Sequence, residues 1–254
     1  FPRAKVSLYD PGVRMPLAIR WPARVPAGRV VDDFVHHIDF APTFLEAAGL
    51  GVSRLIEGRS LLAVLTSSQS GRVDPLRDRT YTGMERHTWC RPDGACYPMR
   101  ALRTGDFLYI RNFAPDRWPT GGPDFVSSNK TFHGDVDGAP IKDFMENPAN
   151  QRRFPREFAL CYGKRPLEEL YDVRRDPDQI HNLAGNPAFA ATRTKLWSEL
   201  RTYLEKTGDP RMRVEDPWQA YAYRQTVGYG ATYNRMLTQA ARDAAAGRAA
   251  HKPQ

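Results

Sequence analysis

Proton transfer and anion binding are the chemistries this sequence has residues for, and His87 and Lys5 are their candidates. Histidines occur at 36, 37, 87, 133, 181 and 251. His87 follows Glu85-Arg86 at the end of a β-rich run, and an imidazole in such a place could act as a general acid near neutral pH. His37 lies two residues before a helix cap and His181 follows a turn, so both read as structural. Lys5, beside Arg3 and ahead of Tyr9-Asp-Pro-Gly12, could hold an anion as a point charge. Cys90 and Cys96 flank Arg-Pro-Asp-Gly-Ala, whose Pro-Asp-Gly marks a turn. A disulfide closing that turn is one reading and would suit an exported protein; two free thiols are the other. Cys161 has no evident partner, and the cysteine spacing matches no zinc motif. A GxSxG elbow, P-loop, GxGxxG, HExxH or DxDxDG calcium loop is absent.

The elements that must position these residues are legible in outline. Pro16-Leu-Ala-Ile-Arg-Trp-Pro22 reads as a buried strand. Asp39 to Gly49 reads as a helix with Asp39 as N-cap and Gly49 as stop, and Leu61–Leu65 as a second short helix. That order suits the edge of an α/β domain, placed at 1–66. From about Ser67 the texture turns antiparallel: β-rich runs at 80–84, 97–103 and 107–111, then Leu170–Val173. Residues 114–165 form a long polar stretch, which a compact domain rarely carries without a functional or packing reason. Pro187 opens a helix to about Lys206 with a stripe of Phe189, Leu196, Leu200, Tyr203 and Leu204. Strands, long loop and packing helix make a second region, 67–213. A tail at 214–254 reads as helical from about Thr232 to Ala250.

The chain has 254 residues, 41% of them hydrophobic, enough for a substantial core. Its 37 Lys and Arg against 29 Asp and Glu give a formal charge of +8, which favours polyanions, though the excess is dispersed. No run of about 18 apolar residues occurs, so no transmembrane helix is expected.

Four ordered motifs carry a resemblance to a known family. Lys5 to Pro22 is similar to the sulfatase stretch of Lys, three residues, Tyr, an acid, Gly, an apolar residue, Arg, Pro and a strand ending in Trp-Pro. His37-Ile-Asp-Phe-Ala-Pro-Thr-Phe-Leu-Glu-Ala-Ala-Gly49 resembles the helix that follows it there. Glu57-Gly-Arg-Ser-Leu-Leu62 and Glu169-Leu-Tyr-Asp-Val-Arg-Arg-Asp-Pro-Asp-Gln-Ile-His-Asn-Leu-Ala184 are similar to later family elements. Tyr97-Pro-Met-Arg100, the run Phe107–Phe113 and the upstream His resemble the heparan N-sulfatase branch; the stretch from His87 to Tyr97 is longer than in that branch.

The resemblance implies the C-terminal part of a formylglycine-dependent sulfatase of the alkaline phosphatase superfamily. The fold it implies is α/β: the C-terminal edge of a mixed-sheet domain plus a smaller antiparallel-sheet and helix subdomain. The implied reaction is hydrolysis of sulfate esters or sulfamides of glycosaminoglycan-type sugars, with calcium as a Lewis acid. By resemblance, Lys5 holds the sulfuryl group, His87 protonates the leaving atom, and Arg86 and Arg117 bind neighbouring anionic sugar groups. Cys96 followed by Tyr-Pro-Met-Arg formally fits the nucleophile pattern, but it lies in the small-domain region and is rejected. Nucleophile and calcium ligands are expected in an N-terminal part not in this sequence, so the chain alone is expected to be inactive. A sulfated saccharide, not nucleic acid, is the implied partner, in a periplasmic, secreted or lysosome-like compartment. A phosphodiesterase of the same superfamily and a non-catalytic basic module binding sulfated glycans are the alternatives.

Overall fold

The computed structural model describes residues 3–127 and 131–218; the expected helix from Thr232 and His251 lie outside the described residues. The chain forms two compact units. Among the described residues, one comprises those up to Arg14, Thr82–Ala101 and those from Phe107 on; the other comprises Met15–Tyr81 and Leu102–Asp106. The segment around Lys5 groups with the later part of the chain.

Four strands, β1 (Arg79–Met84), β2 (Met99–Thr104), β3 (Phe107–Asn112) and β4 (Glu168–Asp172), form one sheet in that order. β3 and β4 run antiparallel, with Leu108 opposite Tyr171 and Tyr109 opposite Leu170. Residues opposite each other share a sheet face, so this register sorts the side chains. Leu108, Ile110 and Tyr171 pack with Met99, Ala101, Tyr97, Leu8 and Tyr9. Tyr109 turns the other way, toward Trp197 of the long helix, while Phe107 meets Phe189 at that helix's start. Burial on both faces explains why Phe107–Ile110 is an unbroken apolar run and not an alternating one. Each fully buried Leu or Ile here is worth about 2 kcal/mol of transfer free energy.

The helices are α1 (Asp10–Val13), α2 (Phe40–Ala47), α3 (Leu62–Thr66), α4 (Pro140–Glu146), α5 (Pro148–Arg153), α6 (Pro155–Tyr162) and α7 (Ala190–Lys206). α7 buries Leu196, Leu200 and Leu204, three residues four apart, as its stripe required. The stretch 114–165, expected as loop, contains α4 to α6. Each starts at a proline (140, 148, 155), where the missing N–H costs nothing and the fixed φ favours the first turn.

In the second unit the expected strand at 16–22 does not form. Met15, Leu17 and Ile19 are exposed, and no ladder partner stands beside them among the described residues. A strand without a neighbour has no hydrogen bonds to hold it. Asp39 does not cap α2 through its side chain. Its carboxylate instead accepts from His36 N (3.0 Å), Arg59 N (2.9 Å) and Arg77 Nη1 (2.8 Å), and so ties the turn before α2 to the Gly58-Arg59 segment. Gly58 is required there: a Cβ would stand 1.9 Å from the Ile38 carbonyl oxygen.

Candidate functional site

Lys5 is positioned by its neighbours. The Arg3 guanidinium lies 3.6 Å from the centroid of the Tyr9 ring and donates to the carbonyls of Leu160 (3.2 Å) and Gln179. Tyr9 donates 2.7 Å to buried Glu169, which also accepts from Tyr171 (2.6 Å) and Asn112 (2.8 Å). Three donors on one carboxylate fasten the Lys5 segment to the apolar sheet face without leaving an unmet charge. Between these anchors the backbone is forced: Arg3 and Val6 have φ of 65° and 66°. For a β-branched residue such as Val6 that conformation costs of order 1–3 kcal/mol, which the surrounding contacts must offset. α1 closes the turn, and Gly12 permits it, because a Cβ there would meet the carbonyls of Ala4 and Ser7 at 2.3 and 2.6 Å.

His87 lies beyond β1. Its side chain is about one-third exposed, and Nδ1 stands 3.4 Å from Oδ1 of Asp135. Asp135 is 1% exposed. It accepts from Thr88 N (2.9 Å), the Thr88 hydroxyl and Arg91 Nη2 (2.9 Å). Burial by itself would raise this carboxyl; His87, Arg91, Cys90 and Thr88 outweigh it and hold Asp135 at about 2. Arg91 is buried too, and its other donors are taken by the carbonyls of Trp118 (2.7 Å), Pro119 (2.6 Å) and Ala95 (3.3 Å).

Asp137 follows two residues later, and Lys5 Nζ donates 2.8 Å to its Oδ2. Its carboxyl is held below the usual range, first by that hydrogen bond, with the charges of Lys5 and His87 adding to it. One short segment, 133–137, therefore carries the carboxylate of Lys5 and the carboxylate of His87. The two residues chosen by sequence are 82 positions apart in the chain and share this cluster.

The other two chosen residues, Arg86 and Arg117, lie at the excursion between β1 and β2. Arg86 Nη1 donates to the carbonyl of Gly94 (3.0 Å) and Nη2 to that of Trp218 (3.4 Å). Arg117 donates to the carbonyl of Cys96 (2.9 Å) and to Asp216 (2.9 Å). Both hold the excursion between β1 and β2 to its surroundings. Cys90 and Cys96 are free and buried, so the disulfide reading of that excursion is corrected. Burial pushes the Cys90 thiol up to about 12 and raises that of Cys96, so neither is a ready thiolate. The turn between them is held by backbone contacts instead, with Gly94 packed under the Trp89 ring.

Sequence reasoning missed Asp135, Asp137 and Arg91. Gly134-Asp-Val-Asp-Gly138 carries the signal: two acids between two glycines inside an unusually long polar stretch. Beside Lys5 a cavity of about 20 Å³, walled in part by Tyr9, Cys161, Arg165 and Glu169, has room for about one water. Anything larger must meet Lys5 and His87 from the solvent side. Among the described residues no group of three or more His, Cys, Asp or Glu side chains is placed to hold a metal ion. The calcium implied by the resemblance thus finds no ligand set in them.

What the cluster can do is bind an anion at Lys5 and pass a proton through the solvent-facing edge of His87. Residues 4–114 match the family model described as N-sulphoglucosamine sulphohydrolase, C-terminal. An ulvan-active sulfatase of Formosa agariphila is 27% identical over 205 residues, covering 81% of this chain and 36% of that protein. Human N-sulphoglucosamine sulphohydrolase is 28% identical over 233 residues, covering 85% and 41%. A solved structure of a protein in complex with its substrate D-glucosamine-2-N,6-O-disulfate is 22% identical at a TM-score of 0.48, over 77% of this chain and 29% of the other. The chain spans about a third of the length of the first curated relatives it matches. By these matches, and by the order of its motifs, the chain is similar to the C-terminal part of sulfatases.

Proposed function

We propose that this chain supplies one wall of a sulfatase active site that hydrolyses sulfate esters or sulfamides of glycosaminoglycan-type sugars. One observation carries the reading: the segment 133–137 brings Asp137 to Lys5 and Asp135 to His87 within a single cluster. Lys5 is the anion anchor. Its compact ammonium exchanges the Asp137 carboxylate for a sulfuryl oxygen of the substrate, an exchange favoured by its exposure. His87 is the general acid. Asp135 Oδ1, 3.4 Å from Nδ1, favours a proton on that nitrogen, which leaves Nε2 to deliver a proton to the leaving oxygen or nitrogen as the bond to sulfur breaks. Asp135 stays ionised throughout, because Arg91 and Thr88 stabilise its charge more than burial penalises it. Formylglycine as nucleophile and calcium as Lewis acid belong to this proposal as contributions from outside the described residues. A periplasmic, secreted or lysosome-like compartment is part of it too and, with Cys90 and Cys96 unbonded, rests on family likeness.

The test is sulfate release from N- and O-sulfated glucosamine by the whole protein that contains this chain. His87→Gln should lower kcat by about 10²–10⁴-fold while leaving KM nearly unchanged. Lys5→Ala should raise KM, lower kcat, or both. A His87→Gln variant releasing sulfate at the parent rate would remove His87 from the reaction. Tight binding of sulfated sugar with no hydrolysis would favour instead a glycan-binding module.

A further inference from the structure

We infer that Lys142, in α4, is the positioning residue for both carboxylates of the site. The inference rests on the reading of Lys5 and His87 given above. Lys142 is 2% exposed, yet its charge faces no carboxylate at hydrogen-bond distance; Glu146 Oε1 is 3.7 Å away. Its ammonium is spent on backbone, donating to the carbonyls of Val136 (2.9 Å) and His133 (3.2 Å). Those two carbonyls bracket Asp135, and that of Val136 immediately precedes Asp137. A buried lysine is an expensive way to satisfy two carbonyls unless their placement matters.

Thr88 and Arg91 hold the Asp135 carboxylate, and the Thr88 hydroxyl also reaches the Gly134 carbonyl (3.3 Å). Asp135 N donates to the Thr120 carbonyl (3.1 Å), and Val136 N donates to the His133 carbonyl (2.9 Å). His133 itself sits at φ 44°, with Nδ1 2.8 Å from the Gly121 carbonyl oxygen and its ring tilted against that of Tyr162, centroids 4.5 Å apart. These contacts fix where the segment begins. Among the described residues, Lys142 reaches carbonyls on both sides of Asp135, so it sets the turn that points one carboxylate at His87 and the next at Lys5. Without the ammonium, the Val136 carbonyl loses the Lys142 donor and the His133 carbonyl is left with Val136 N, so the turn around Asp135 relaxes.

The effect should be visible at His87, which Lys142 does not touch. In the protein labelled with ¹⁵N at the imidazole nitrogens, and with His87 assigned through His87→Gln, the Nδ1 signal of neutral His87 should be of the protonated type. Lys142→Met should shift it toward the unprotonated type, as the Asp135 acceptor moves and the tautomers mix. Lys142→Arg, which can still donate to two carbonyls, should restore the parent signal. Glu146→Gln, which removes the weak partner of Lys142 and keeps the carbonyl bonds, should leave it unchanged. A folded Lys142→Met protein with an unshifted His87 signal would overturn the inference and make Lys142 merely structural. If Lys142→Met does not fold, Lys142→Gln decides, because it keeps a shorter donor: a partial shift supports the inference and no shift overturns it. None of these readings uses catalysis, so failure here is distinct from failure of the proposed reaction.

Discussion

Acidification should weaken the fold in two steps, and the first belongs to His133. Burial, with the nearby Lys142 charge adding to it, lowers this imidazole to about 4; the Gly121 carbonyl pulls only partly the other way. The groups that face it are Lys142, Thr120, Trp118, Phe158 and Tyr162, none of which can neutralise an imidazolium. In the unfolded chain the same side chain titrates near 6.5. Between those values the unfolded state binds a proton that the folded state refuses, so stability present above about 6.5 is lost as pH falls toward 4. A lowering from 6.5 to about 4 corresponds to about 3 kcal/mol, taken as an upper bound because local opening relieves part of it. Below about 4 the second step begins. Asp135, depressed to about 2, contributes stability that is present above its unfolded value and is lost as pH falls toward 2. Urea unfolding followed by tryptophan fluorescence at intervals from pH 7 to pH 4.5 isolates the first step when run beside His133→Asn. Asparagine tolerates the positive φ and does not titrate, so its lower baseline should be nearly flat where the parent falls. Parallel slopes for the two proteins across that window would refute the assignment to His133.

Three further outcomes follow from particular contacts. Asp137→Asn, which frees Lys5 from a charged partner, should tighten binding of inorganic sulfate or a sulfated monosaccharide several-fold by calorimetry; weaker binding would mean Asp137 belongs to the ligand site. Leu200→Ala removes a fully buried side chain from α7 and should cost about 2–5 kcal/mol in chemical denaturation. Thiol titration should find three reactive cysteines in denaturant without reductant, whereas in the folded protein Cys90 and Cys96 should react far more slowly than the half-exposed Cys161.

The sheet and α7 were legible because both are written in period and composition: the run Phe107–Ile110, the Leu170–Val173 strand, and leucines four apart. The strand at 16–22 was misread for a physical reason. An apolar run bounded by prolines specifies a strand only when a neighbour supplies its hydrogen bonds, and sequence pattern does not show the neighbour. The helices α4 to α6 were hidden because six to eight residues carry too little periodicity, though their prolines at the first position were visible. Asp39 was read as a cap from its local position, whereas its true partners, Arg59 and Arg77, lie 20 and 38 residues away. Lys5 and His87 were chosen through motif order. Asp135 and Asp137 were not, because no local rule says which acid in a polar stretch will be buried.

Burial is also what separates the roles of those two acids. Asp135 is 1% exposed with Thr88, Arg91 and His87 around it, so moving it would strand Arg91 in the interior, a loss of several kcal/mol. It cannot serve as a placeholder, only as a fixture. Asp137 is 67% exposed and bonded to Lys5, itself 55% exposed, and an ion pair of that kind is worth less than about 1 kcal/mol. It can be displaced by any anion that Lys5 prefers. Under the proposed reaction, two carboxylates separated by one valine divide the work: one orients the histidine, and the other holds the lysine until an anionic group takes its place.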